Sequence, residues 1–310
     1  MLNYSQFKTA LAEAIRNSFG YDYEVTEGVV AKANEGLLDT ISIRHEGSRV
    51  AGTVFPKRCF EEYTSGRGVD EIASRLKEDY RISNPEEALQ NHVDALSSAE
   101  NVVEKVFYKM IGIPGNEAYL KDVPYIIPEG FEDIALVPTI PVEMGRDFGT
   151  LTVRKFQLQG WNISEAELHA AASANTEKLI TVRPLADVIR EMMGGDLPEI
   201  DNPLYVANSF DERYSASPLG APKALAGVFS SMGEHYVIPS SIHELFFAPK
   251  SAVDPETLKS MVREVNSKVV DPKERLSDNI YECRADGKYI TYGAGERVEA
   301  GSEKKNDFHL

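Results

Sequence analysis

The chain has 310 residues, with 33 Lys and Arg against 49 Asp and Glu, for a formal net charge of −16. Apolar residues make up 42 %, charged residues 26 % and aromatics 9 %, a globular composition that excludes a wholly disordered, collagenous or coiled-coil chain. The acidic excess is spread evenly, so the overall field repels phosphate backbones and argues against sequence-independent nucleic-acid binding.

Tyr4, Phe7, Leu11, Ile15 and Phe19 recur at steps of three and four, which predicts a first helix closed by Gly20. Three strands are expected at 22–30, 37–45 and 49–55, joined by turns at 34–36 and 46–48. Pro56 stops the third strand, and a helix near 57–64 follows. Val69, Ile72, Ala73, Leu76 and Tyr80 mark another. Asn84, Pro85, Glu86 and Glu87 read as the start of one more, with Leu89, Val93 and Leu96 on its buried side.

Residues 97–101 read as a boundary, and strands are expected beyond it at 102–111, 133–143 and 149–158, with a loop at 112–130. Ser164 and Glu167 spell a capping box for a helix at 163–179, whose inner stripe is Leu168, Ala171, Ala172, Asn175 and Leu179. Pro184 opens the next helix, with Leu185, Val188, Ile189 and Met192 inward and Gly194–Gly195 at its end. A strand at 204–208, a helix at 221–232, and strands at 235–238 and 244–248 follow. Asp254 caps a helix with Leu258, Met261, Val262 and Val265 inward, and a hairpin at 279–292 closes the ordered part.

Strands and helices without strict βαβ alternation predict an α+β fold with mixed sheets, helices packed on them, and two sub-domains. The expected division is an N-terminal α+β subdomain at 1–98, a C-terminal α+β domain at 99–292 and a flexible tail at 293–310.

Cys59 and Cys283 make no C-x-x-C and no disulfide framework. The N-terminus has no basic segment followed by an apolar run, and no stretch approaches a membrane span, so a cytoplasmic protein with no membrane partner is expected. No H-x-x-x-H, H-E-x-x-H, G-x-S-x-G or phosphate-binding loop occurs, so no metal or cofactor is expected. Asp147-Phe148-Gly149 spells a kinase fragment without the loops that would give it meaning.

Two features carry candidate chemistry. Asn175 is an amide on an apolar stripe: it is either a satisfied core amide or a ligand contact. Ser240, Ser241, His243 and Glu244 form the densest polar cluster, and Ser beside His invites a nucleophile–base reading. In an extended segment Ser241 and His243 share a face about 6–7 Å apart, which is long for a direct bond. The favoured reading is therefore a turn whose serines bond backbone groups, with His243 packed structurally between the flanking strands.

The segments 116–124, 133–138, 161–179, 219–249 and 265–281, with the string Pro239-Ser240-Ser241-Ile242-His243-Glu244, resemble a group of bacterial proteins of unknown function, typical of gut Firmicutes and often carried near mobile elements. Around Trp161, Ser164, Glu167 and Leu168 the chain is also similar to a second uncharacterised, Bacillus-type group. Tyr125 stands where that resemblance would place a histidine after Val123-Pro124. The resemblance implies a bacterial cytosolic protein and supplies no substrate, cofactor or catalytic residue. The leading functional expectation is a module that binds another protein or a peptide without catalysis. The alternative is a hydrolase-like or transferase-like enzyme using the 240–244 cluster with Asn175.

Overall fold

The computed structural model describes residues 1–83, 98–144, 147–194, 203–211, 214–239 and 241–292. These fall into two compact units, Met1–Asn101 with Val142–Gly149, and Val102–Pro141 with Thr150–Leu310. The fold is α+β. Among the described residues the three sheets are antiparallel, not mixed as the interspersed elements suggest. Short hairpins and long returns place sequence-distant strands side by side without parallel crossovers.

The first unit opens with α1 (Tyr4–Phe19), which buries Phe7, Leu11, Ile15 and Phe19. Asn3 caps it: its side chain accepts from Gln6 N while Gln6 returns a bond to Asn3 N. Gly20, at φ +93°, ends it where a side chain would be strained. The meander β1 (Tyr23–Lys32), β2 (Gly36–His45) and β3 (Gly52–Val54) supplies Val25, Ile41 and Ile43 to the same core. Helices α2 (Pro56–Thr64) and α3 (Val69–Ser83) close it with Cys59, Ile72 and Ala73. The helix expected from Asn84 onward lies outside the described residues.

Two expected strands are partly helical. Residues Ala99–Lys105 form α4, and the strand β4 starts only at Phe107. Val102 and Val106, four apart, are both fully buried, which is a helical spacing hidden in a β-branched run. The expected 149–158 strand stops as β6 (Asp147–Thr152), after which α6 (Lys155–Trp161) begins. There Leu158 and Trp161 are buried three apart, while Phe156, which completes the apparent alternation, is 74 % exposed. β4 (Phe107–Gly112) pairs with β5 (Ile134–Met144), and α5 (Glu117–Leu120) lies in the connection between them.

The six-stranded sheet of the second unit has the order β12-β11-β9-β10-β8-β7. Helix α7 (Glu165–Thr176) leads into β7 (Ile180–Pro184), an edge strand not expected from sequence, and α8 (Leu185–Met193) follows. A proline is tolerated there because a strand end at a sheet edge needs no donor. Met192 points outward and is 82 % exposed, not inward as its spacing suggests. The sheet continues with β8 (Tyr205–Ser209), β9 (His235–Ile238), β10 (Glu244–Pro249), β11 (Tyr281–Cys283) and β12 (Tyr289–Thr291). Helix α9 (Pro222–Met232) connects β8 to β9, and α10 (Pro255–Lys268) follows β10. Leu258 and Val262 of α10 pack on Tyr236, Ile238, Ala248 and Ile280. Its third buried position is Asn266, whereas Met261 and Val265 are exposed. Asn266 Nδ2 donates to the Ser277 carbonyl at 2.9 Å and to Asp278 at 2.8 Å, which explains an amide on that face.

Candidate active site

Three connections converge beside β8 and β10. The first leaves the end of β8 and runs through Tyr214–Ala221, where Ser215 through Ala221 are all buried. It is built from small residues, Ser215, Ala216, Ser217, Gly220 and Ala221, which lets backbone pack closely. Ser217 N donates to the Tyr108 carbonyl at 2.8 Å, and the Tyr214 ring meets Phe107 edge-on at 5.3 Å. Gly220 is required by contact: a Cβ there would sit 2.7 Å from the Tyr108 ring. Held this way, Ser215 adopts φ +46°, one of three non-glycine residues with positive φ among the described residues. Such a conformation is costly for a side-chain residue and persists only where surrounding contacts impose it.

The second connection joins β9 to β10. Ser241 forms a bridge with Arg275, Ile242 N donates to the Glu274 carbonyl at 2.9 Å, and Ser277 N donates to the Pro239 carbonyl at 3.1 Å. These bonds zip it onto the third connection, between α10 and β11. Asp133 anchors the far side of that strand of chain, accepting from Ser277 Oγ at 2.6 Å, from Asn279 Nδ2 at 2.9 Å and from the Tyr281 hydroxyl. The pairing of Ile242 with Glu274 leaves His243 beside the Glu274 side chain.

The result is a chain of three side chains. Ser215 Oγ lies 2.9 Å from His243 Nδ1, and His243 Nε2 lies 3.4 Å from Glu274 Oε1. With Nε2 protonated toward the carboxylate, Nδ1 is the acceptor for the Ser215 hydroxyl. Ser215 and His243 open onto a cleft of about 370 Å³ lined by Asn208, Ser209, Ser215, His243 and Glu244. That is within the range of small-molecule sites, about 300–1,000 Å³. Asn208 and Glu244 stand opposite each other across β8 and β10, and Asn208 Oδ1 accepts from Thr181 Oγ1 at 3.2 Å.

The cluster at 240–244 is thus divided. Ser241 is buried and its hydroxyl accepts from His243 N at 3.2 Å, a backbone-bonding turn. Ser240 lies outside the described residues. Glu244 reaches the cleft, and the carboxylate 3.4 Å from His243 Nε2 is that of Glu274. His243 is not packed between the flanking strands: its side chain is 43 % exposed and faces the cleft. A turn places it at the strand entry, where the sheet no longer covers it.

Asn175 is not among the residues that line the cleft. Its Nδ2 donates to the carbonyls of Val103 and Val106, both at 2.9 Å, and its Oδ1 accepts from Lys178 at 3.1 Å. It closes the end of α4, as a satisfied amide.

Ser215 and Glu274 lie outside the candidate residues that the sequence marks. Glu274 has no local signal, because it reaches His243 through pairing with a distant turn. Ser215 had one: a run of small residues between a strand and a helix, too apolar for an open loop. Among the described residues no three His, Cys, Asp or Glu side chains converge to hold a metal, and no helix is long and apolar enough to cross a membrane.

A model of the family of unknown function DUF5688 matches residues 4–284, so the chain belongs to that family. Searches of curated proteins and of solved structures give no match.

Proposed function

Starting from membership of a family without an assigned activity, we propose that this chain is a hydrolase-like or transferase-like enzyme acting on a small acyl substrate through Ser215. The observation that carries the reading is the 2.9 Å contact between Ser215 Oγ and His243 Nδ1 in an open cleft, with Glu274 on the other imidazole nitrogen. His243 accepts the hydroxyl proton as Ser215 Oγ attacks the carbonyl carbon. Glu274 orients the ring and stabilises the imidazolium that forms. The imidazolium then protonates the leaving group as the C–O or C–N bond breaks. Water, or a second acceptor, removes the acyl group by the same route in reverse. The positive φ of Ser215 supports this role, since strained backbone clusters where a side chain must be presented to a ligand.

The test is turnover of p-nitrophenyl acetate by the full chain, with Ser215→Ala and His243→Ala as variants. Each variant is expected to lower kcat/KM by about 1,000-fold or more, and the two together by little more than either alone. Turnover that survives Ser215→Ala contradicts the assignment.

A second reading, binding of a protein or peptide, is supported by a different surface. Val29 and Leu37, at the turn end of the β1–β2 hairpin, are 63 % and 66 % exposed. The resemblance to bacterial proteins supports a cytoplasmic bacterial setting, and the net charge of −16 supports partners other than nucleic acid.

A further inference from the structure

Ser209 is the last residue of β8 and lines the same cleft as Ser215 and His243. It is 3 % exposed, and its hydroxyl finds no hydrogen-bond partner among the described residues. Ser215 is engaged with His243, Ser241 with His243 N and Ser277 with Asp133; Ser217 has a second buried hydroxyl without a partner, but it is not among the residues that line the cleft. A buried hydroxyl without a partner is costly, so it calls for a compensating role. The cleft next to it is where an acyl group must sit if Ser215 is to reach its carbonyl carbon. That carbonyl oxygen becomes an oxyanion when the serine adds, and it then needs donors fixed in advance.

We infer that Ser209 donates its hydroxyl to the acyl oxygen of the substrate, holding the carbonyl as Ser215 attacks and binding it more strongly once it carries charge. This rests on the acyl-transfer reading of Ser215 and adds a residue to it. No proton leaves Ser209; the proton of Ser215 goes to His243 and on to the leaving group. The donor is a neutral hydroxyl, so the preferred substrates are esters, thioesters or amides of short acyl groups, whose developing charge lies on one oxygen.

Ser209→Ala tests the role, with p-nitrophenyl acetate as substrate and a fluorophosphonate as the probe of Ser215. Because the variant deletes a partnerless hydroxyl, it is expected to melt at or above the wild-type temperature. Its kcat is expected to fall about a hundredfold, with KM changed less than about threefold. Ser209→Cys keeps the size and a weak donor, and is expected to fall between the two. Unchanged kcat in Ser209→Ala, with wild-type chain that turns over ester and is labelled at Ser215, overturns the role of Ser209 alone. A wild-type chain that is neither labelled nor active overturns the Ser215 reading and this inference with it. A fall confined to KM makes Ser209 a binding contact and contradicts its action on the oxyanion.

Discussion

His243, Ser215 and Glu274 come from three separate connections, and only His243 stands out in the sequence. The reason is physical. Ser and His two apart in an extended segment are easily noticed, but the Ser241 hydroxyl is taken by a backbone amide, and the partner that the imidazole meets is 28 residues away along the chain. Contrasting histidines show what a structural ring looks like in this fold. His235 is fully buried on β9, with Nδ1 at 2.6 Å from the Gly233 carbonyl and Nε2 at 3.3 Å from the Tyr289 hydroxyl. His169 is half-buried, with Nδ1 at 2.8 Å from the Tyr108 hydroxyl. Burial pushes both imidazoles below the ordinary value of 6.5. Above that value both states are neutral and nothing is lost. As pH falls through it the unfolded chain takes up protons that the folded rings resist, so stability drops with acidification. Melting temperature is therefore expected to fall between about pH 7.5 and pH 5.5, and to fall less in His235→Gln. An equal decline in both proteins would show that His235 does not contribute.

At the scale of elements, helices with local caps were legible and helices closed by distant partners were not. Ser164 and Glu167 are adjacent in sequence to what they cap, and the capping box forms as written, with Glu167 N donating to Ser164 Oγ at 3.2 Å and Ser164 N to Glu167 Oε2 at 2.8 Å. Helix α4 has no such signature. Its last carbonyls are taken by Asn175, about 70 residues on, so Val102 and Val103 read as strand. The amide donates to two carbonyls at once, and an ionised carboxylate in its place has only acceptors to offer. Asn175→Asp should therefore destabilise the chain more than Asn175→Ala. The expected costs are about 3 kcal/mol or less for Asp and about 1–2 kcal/mol for Ala, read from urea midpoints. The reverse order would mean that the two bonds do not hold the end of α4.

Across the whole molecule the α+β class followed from the interspersion of strand and helix signals without βαβ alternation, because both periodicities were clean in most elements. The antiparallel order of the large sheet did not. In it β9 lies between β11 and β10, an arrangement set by long-range pairing that no local pattern records. The same limit hid the site, since it is assembled by that pairing. Net charge, by contrast, is a whole-chain property legible from composition alone. At −16 the chain is expected to show no micromolar binding to duplex DNA in an anisotropy titration at about 150 mM salt. Binding there would reveal a basic surface that the even spread of acids conceals.

A Ser215 nucleophile activated by His243 should react irreversibly with a serine-directed electrophile. In a covalent-trapping experiment the folded full chain is incubated with a fluorophosphonate, digested, and the modified peptide located by mass spectrometry. One adduct is expected, on Ser215, formed far more slowly in His243→Ala and at a reduced rate in Glu274→Gln. Wild-type chain that keeps its melting temperature yet carries no adduct on Ser215, or is labelled as fast without His243, would contradict the assignment.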